Sequence, residues 1–398
     1  MHENSSTSNS EKSALGRLLT RACAFLVPLA LLLALPTFII FKSGEAYTSP
    51  QLARLQSEPE PTIIGLAYSG GNGFKLESIL AREPKILAAG TSRSMGFRDI
   101  FFRNPRDFYN AGGMVVFLPH ALKLLKILPK GALPKVLILG LDQNFFNPAW
   151  APLPEEVANA ERNMKGGGDA RRLFTLIFQR WPNLLSDWRK GSFAWSNVLS
   201  DKLQLPGLPV FKGIGLSARA SGEGTLRDGS HLYGYVFLQG SKKRDPEFSE
   251  TIYRIRKESG RFEPGDKVGE KSLEQLGELA DFCRDSGIHL VSFLPSFAPK
   301  IWNYMQESRK YSYMQGLSLM LDEVLKGRGF KVHDFSVATS FGASDEEFID
   351  GFHPSEVTYA RMILKISEID PVLASYVDRA ALESRLGSRP NPYILAGQ

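Results

Sequence analysis

PKILAAGTSRS, residues 84–94, is a short apolar run that ends at Gly90 and passes at once into small polar residues. Its apolar part does not alternate with polar residues, which is the pattern of a strand buried on both faces, as in a parallel sheet. Three other runs share this character: KVLILGL (135–141), IHLVSFLP (288–295) and FKVHDF (330–335). Helical patterns lie between them. SLEQLGELADFCRDSG (272–287) opens with a Ser272-x-x-Gln275 capping box and spaces Leu273, Leu276, Leu279 and Phe282 on one face before stopping at Gly287. SLMLDEVLKGRG (318–329) repeats the scheme. Strand, helix and strand in this rhythm predict right-handed βαβ units, hence an α/β fold with a mainly parallel sheet between two helical layers.

The first forty residues are of another kind. Ala22 to Phe41 is twenty residues without a charge, long enough as a helix to span roughly 30 Å of hydrocarbon. The run is too long for the apolar part of a cleaved signal peptide, and no small-x-small site closes it. Lys12, Arg17 and Arg21 precede it and Lys42 stands almost alone behind it, so charge bias leaves the N-terminus in the cytoplasm. The division expected is a cytoplasmic arm at 1–21, a membrane anchor at 22–41, a polar linker at 42–60 and an exported body at 61–398. Within that body, about 145–270 breaks the strand–helix rhythm and reads as an inserted cap. YSGGNG (68–73) and KGGGD (165–169) lack a phosphate-loop ending and read as flexible turns.

The chain carries 48 Lys and Arg against 42 Asp and Glu, with no basic block of five or more. The excess is scattered, so it marks a soluble surface rather than a nucleic-acid footprint. Cys23 and Cys283 are the two cysteines, one in the apolar segment and one on a predicted helix, so they cannot pair. A disulfide-free exported chain fits a bacterial periplasm. No two histidines stand at metal-ligand spacing, so neither a metal site nor a cofactor is expected.

In open α/β sheets functional groups gather just past the carboxyl ends of strands. There the chain places GTSRS (90–94), NAGG (110–113), DQN (142–144) and DGFHP (350–354). A serine hydroxyl needs a base to become a nucleophile, and a histidine held by a carboxylate supplies one. Ser92 as nucleophile, His353 as base and Asp350 as its orienter form such a set, with Ser94 the reserve nucleophile. Taken singly, Ser92 reads more readily as a turn residue or helix cap, and Asp350 with His353 as a capped surface turn; it is their order and separation together that favour the catalytic set.

These blocks resemble the SGNH (GDSL-like) hydrolase superfamily, and within it the membrane-anchored branch that acylates the bacterial cell envelope, such as alginate O-acetylation proteins and the D-alanyl transfer protein of teichoic acids. Gly90-Thr91-Ser92 is similar to the family's Gly-Asp-Ser block, Gly112 to its oxyanion glycine, and Asp350-x-x-His353 to its last block. The resemblance spans roughly 61–370, with the cap unmatched, and implies a flavodoxin-like α/β/α sheet. Two positions depart from the pattern. Thr91 replaces an aspartate whose side chain takes no part in proton transfer. Asp142 stands where an amide donor belongs and would repel an oxyanion, which leaves Asn144, or the backbone N–H groups of Ser92 and Gly112, to fill that role.

The resemblance implies a membrane-anchored serine acyltransferase that O-acetylates an exported polysaccharide through an acyl-serine, supplied by a membrane-bound acyl exporter. The alternatives are an esterase of envelope glycans or lipids, and a catalytically silent domain that binds polysaccharide or scaffolds an assembly. Arg93, Arg227, Asp228 and Tyr233 are candidates for substrate contact. Trp181, Trp188 and Trp195 of the cap are expected to pack in the core.

Overall fold

The structure, a computed structural model, describes residues 6–68, 73–165, 175–239 and 245–395. The two glycine-rich turns expected at 68–73 and 165–169 lie largely outside the described residues. Five parallel strands form the main sheet in the order β10-β9-β4-β2-β3. They are β2 (Ile86–Gly90), β3 (Phe108–Gly112), β4 (Val136–Gly140), β9 (His289–Leu294) and β10 (Lys331–Asp334). The four apolar runs of the sequence are β2, β4, β9 and β10.

Alternate side chains feed two cores. Ile86, Ala88, Ile138, Val291 and Phe293 face the helix Glu356–Ser367, through Val357, Ala360 and Ile363. Leu87, Ala89, Leu137, Leu139 and Leu290 face Leu124, Leu279 and Leu321 of the helices Leu118–Ile127, Glu270–Asp285 and Leu317–Lys326. The result is an α/β sandwich with helices on both faces. From β2 the chain goes to β3 on one side and returns to β4 on the other, so the connections diverge at the carboxyl ends of β2 and β4. A crevice opens at such a switch point.

The helix at 270–285 begins two residues before the expected capping box. Gly269 is its N-cap, and the Ser272 hydroxyl instead donates to the Phe145 carbonyl at 2.7 Å.

The segment 145–270 is not a single inserted unit. A second sheet, ordered β5-β6-β1-β7-β8, joins β5 (Lys202–Gln204), β6 (Val210–Ile214), β7 (Glu223–Thr225) and β8 (His231–Tyr233) to β1 (Thr62–Ile64). Only the β1–β6 pairing is parallel. The later part of the segment joins the main core through Ile255 and Phe262. The second sheet is fastened to the first at its edge: the Asn110 N–H of β3 donates to the Asp228 carbonyl at 2.8 Å, and the His231 N–H to the Met95 carbonyl at 3.0 Å.

Residues 42–60 are not a linker either. Ser49–Ser57 is a helix with Leu52 and Gln56 buried, and the Gln56 amide donates to the Leu226 carbonyl at 2.6 Å. Before it, the buried Glu45 carboxylate accepts the backbone N–H groups of Ala67 (2.9 Å), Tyr68 (3.1 Å) and Leu216 (2.8 Å). Polar composition suggested solvent, but these polar groups are satisfied inside the fold.

The N-terminal helix spans Ser6–Ser43. Its apolar parts, Ala14–Pro28 and Leu33–Ser43, meet at 48°. Pro28 lies at the bend, where it removes a backbone donor and crowds the preceding turn. Among the described residues no single helix is long and apolar enough to cross a membrane, but the bent pair passes together by length and composition. Its end is not free, since Ile39 and Ile40 are buried against Leu184, Phe193, Val198 and Leu216.

Candidate active site

β2 ends at Gly90, whose φ of +147° an L side chain rarely adopts; a Cβ there would sit 2.1 Å from the Ser94 hydroxyl oxygen. The chain then turns tightly through Ser92–Ser94. This turn leaves Ser92 half-buried at the crevice and sends Ser94 inward, fully buried. Ser94 is therefore no reserve nucleophile, because substrate cannot reach it.

The last loop comes from the opposite end of the chain. The Asp350 Oδ1 accepts the backbone N–H groups of Phe352 at 2.8 Å and His353 at 2.7 Å, closing a turn on itself. Gly351 has no room for a side chain, since a Cβ would lie 2.3 Å from Ile301. Asp350 Oδ2 then lies 2.9 Å from His353 Nδ1, and His353 Nε2 lies 2.8 Å from the Ser92 hydroxyl. The carboxylate only accepts, so Nδ1 donates to it and Nε2 is left to accept the serine proton. Ser92, His353 and Asp350 thus stand in one hydrogen-bonded line.

Burial works against the Asp350 charge, but His353, through charge and hydrogen bond, and the two backbone donors outweigh it and lower the carboxyl to about 2. A group depressed on folding stabilises the fold above its unfolded value of about 4, and that contribution is lost as pH falls toward the folded value. The thermal midpoint of the wild type should exceed that of Asp350→Asn by a margin that shrinks from about pH 4 to about pH 2. A margin that stays constant over that range would refute this account of the turn.

The two departures from the family pattern prove to be partners. The Thr91 hydroxyl donates to Asp142 Oδ2 at 2.7 Å and accepts the Arg93 N–H at 3.1 Å. Thr91 is therefore not idle, since it ties the nucleophile turn to the end of β4. Asp142 is fully buried, and its bound oxygen also lies 3.7 Å from the Arg261 guanidinium.

The expected oxyanion glycine is engaged elsewhere. The Gly112 N–H donates to the Asn110 side chain at 2.7 Å, and its carbonyl accepts the buried Lys75 ammonium at 2.7 Å. Burial lowers Lys75 to about 7. Asn110 also donates to the Ser94 and Phe97 carbonyls, both at 2.9 Å, so it braces the turn from the other side. Sequence reading assigned no role to Asn110 or Lys75. An Asn two residues before a strand-ending glycine was the available signal for the first. Asn144 keeps an uncommitted donor: its amide nitrogen is buried and meets no acceptor among the described residues.

Arg93 is not a substrate contact. It is fully buried, donating to Gln143 Oε1 (2.8 Å) and to the carbonyls of Pro295 (3.0 Å) and Ser296 (2.8 Å). Its guanidinium lies 4.2 Å and 4.4 Å from the ring centres of Phe297 and Phe352. Burial lowers it to about 10, still cationic at neutral pH. It joins the loops after β2, β4 and β9 to the residue beside His353.

Asp228 is likewise withdrawn. It is buried and accepts from Arg98 Nε at 2.9 Å and from the Asp99 N–H at 3.0 Å. Arg227 is exposed on the same hairpin. Of the cap candidates, Tyr233 comes near the Ser92–His353–Asp350 line, its ring 6.0 Å from that of His353. A cavity of about 250 Å³ adjoins the nucleophile turn at Met95 and is lined from the second sheet by Glu223, Thr225 and His231. Trp188 and Trp195 are not core residues, being 42% and 38% exposed.

No group of three or more His, Cys, Asp or Glu residues that could hold a metal occurs among the described residues. No protein-family model, curated protein or solved structure matches the chain.

Proposed function

We propose that the chain is a membrane-anchored serine acyltransferase of the SGNH type, acting on an exported polysaccharide. The observation that carries this reading is the 2.8 Å contact between Ser92 and His353 Nε2, with Asp350 behind the imidazole. In this mechanism His353 takes the Ser92 proton as the oxygen attacks the acyl carbonyl. Negative charge then gathers on the carbonyl oxygen, and the backbone N–H of Ser92 is the candidate donor to it, since the Gly112 N–H is engaged with Asn110 and the Asn144 amide is buried. Collapse expels the donor's leaving group, which takes the proton from His353, and leaves an acyl ester on Ser92. A sugar hydroxyl, deprotonated by His353, attacks that ester and regenerates the serine.

Asp142 weighs for a catalytically silent domain, because a carboxylate at the amide position would repel an oxyanion. The Thr91 hydrogen bond gives its Oδ2 a structural duty, which supports the enzyme reading, while its buried Oδ1 has no hydrogen-bond partner among the described residues and favours the silent one. The flavodoxin-like strand order and the helix at 6–43 support the SGNH assignment and the inner-membrane anchor, with the body outside the cytoplasm and an acyl exporter as its source of acetyl groups.

The test uses the detergent-solubilised full chain, an activated acetyl ester and oligosaccharide acceptors. The expected result is acetylated oligosaccharide that disappears in His353→Ala. Acetate release that is indifferent to acceptor would establish the esterase instead, and no acyl release at all would overturn both enzyme readings. In cells, the His353→Ala strain should match the null strain in the acetyl content of its surface polysaccharide.

A further inference from the structure

The joint between the apolar helix and the body has no slack. Beyond its bend the helix runs on to Ser43, its last turns bury Ile39 and Ile40 in the body, and the Ser43 carbonyl accepts the Gly215 N–H at 2.8 Å. Two residues further on, Glu45 is locked by its three backbone donors. Yet Leu35, Phe38 and Phe41 on the same turns are exposed. One side of the helix is therefore seated in protein while the other presents large apolar groups.

The elements that grip this helix end expose apolar groups of their own. Thr175–Gln179 and Trp195–Leu199 both pack against it. In them Phe178 is 47% and Leu199 57% exposed. Trp188, in the neighbouring helix Trp181–Arg189, stands 6.2 Å from Trp195, edge to face. Arg189 and Lys190, which follow Trp188, are exposed as well.

We infer that the face bearing Phe178, Trp188, Trp195 and Leu199 rests in the headgroup layer of the bilayer that the N-terminal helix enters. This rests on reading that helix as a membrane anchor. From Phe38 to Phe41 a helix rises about 4.5 Å, whereas the polar layer on each side of the hydrocarbon is about 5–7 Å thick. If Phe38 is in hydrocarbon, the protein packed around Ile39 and Ile40 must begin inside the headgroups. Tryptophan favours that zone because its ring is apolar and its N–H needs a polar partner, and the adjacent Arg189 and Lys190 complement anionic lipid. The body is then held at a set height and orientation, not swung on a tether.

The experiment places the full chain in vesicles of phosphatidylethanolamine and phosphatidylglycerol whose acyl chains are brominated near the headgroup. Bromine quenches tryptophan emission on contact. The expected result is quenching in the wild type and loss of most of it in Trp188→Phe/Trp195→Phe, with the other three of the five tryptophans retained. Equal quenching in the variant, or none in a wild type that resists alkaline carbonate extraction, overturns the inference while leaving the anchor intact. That second result is also what a second protein copy or a glycan on this face would produce. Extraction of the wild type by carbonate overturns the anchor, and this inference with it.

Discussion

Replacing Ser92 by alanine should abolish covalent capture by a fluorophosphonate probe, with labelling slowed by roughly three orders of magnitude or more. The probe reacts with a serine only when a base removes its proton as the bond forms. Ser92 has that base 2.8 Å away, and His353 is oriented by Asp350 at 2.9 Å. His353→Ala should cost about as much, and the double variant hardly more than either, because the two residues act in a single proton transfer. Ser94→Ala is the control and should label like wild type, since Ser94 is closed off behind the turn. Labelling of Ser92→Ala at the wild-type rate would place the reactive group elsewhere and remove the basis of the acyltransferase reading.

The second large effect concerns stability. Arg98 is buried and bridges Asp228 of the second sheet's hairpin to Glu356, which opens the helix after His353. Burial pushes the Glu356 carboxyl up even with the guanidinium beside it. Arg98→Met leaves two buried carboxylates without their counter-ion, a loss of about 3–5 kcal/mol. Chemical denaturation should show a midpoint shift of that order. Adding Asp228→Asn and Glu356→Gln to Arg98→Met should restore much of the loss, because no buried charge is then left unpaired. A shift below about 1 kcal/mol for Arg98→Met alone would mean that water reaches the bridge and that it does not clamp the two sheets.

The two pairs of contacts meet in the same place. Asp228 also lends its backbone carbonyl to Asn110, whose side chain holds the Ser94 and Phe97 carbonyls of the nucleophile turn. Arg93 does the equivalent work from the other side, through Gln143 and the Pro295 and Ser296 carbonyls. Ser92 is thus held between two buried networks, neither of which touches its hydroxyl. Such bracing keeps a nucleophile within the short range that proton transfer requires.

Reading the chain found the parts whose physics is local. β2, β4 and β9 are buried on both faces, so they had to be continuous apolar runs and could be seen as such, whereas β10, at the sheet edge, exposes Lys331 and Asp334 and buries Val332 on one side. The turn at Asp350 is closed by hydrogen bonds no more than three residues long, and its Asp-Gly-Phe-His spelling was visible for that reason. Ser92 lies just past the end of β2, whereas His353 follows β10 only after two short helical turns, so the pair was legible through the Asp-x-x-His spelling that the resemblance supplied.

The remainder depended on groups far apart in the chain. β1 and β7 are three residues each, too short for any periodicity; β1 exists because it pairs with β6, β7 because it pairs with β8, and the single pair Ile64–Thr225 joins them. Glu45, Arg93 and Asp228 carry charges, and charge in a sequence suggests solvent. Burial became affordable only once partners 22 to 203 residues away supplied their hydrogen bonds. Local patterning therefore marked four of the main sheet's five strands, and the resemblance nominated Ser92, Asp350 and His353. Long-range pairing of polar groups settled which charged residues are struts, which face is left bare beside the apolar helix, and how the second sheet is locked against the first.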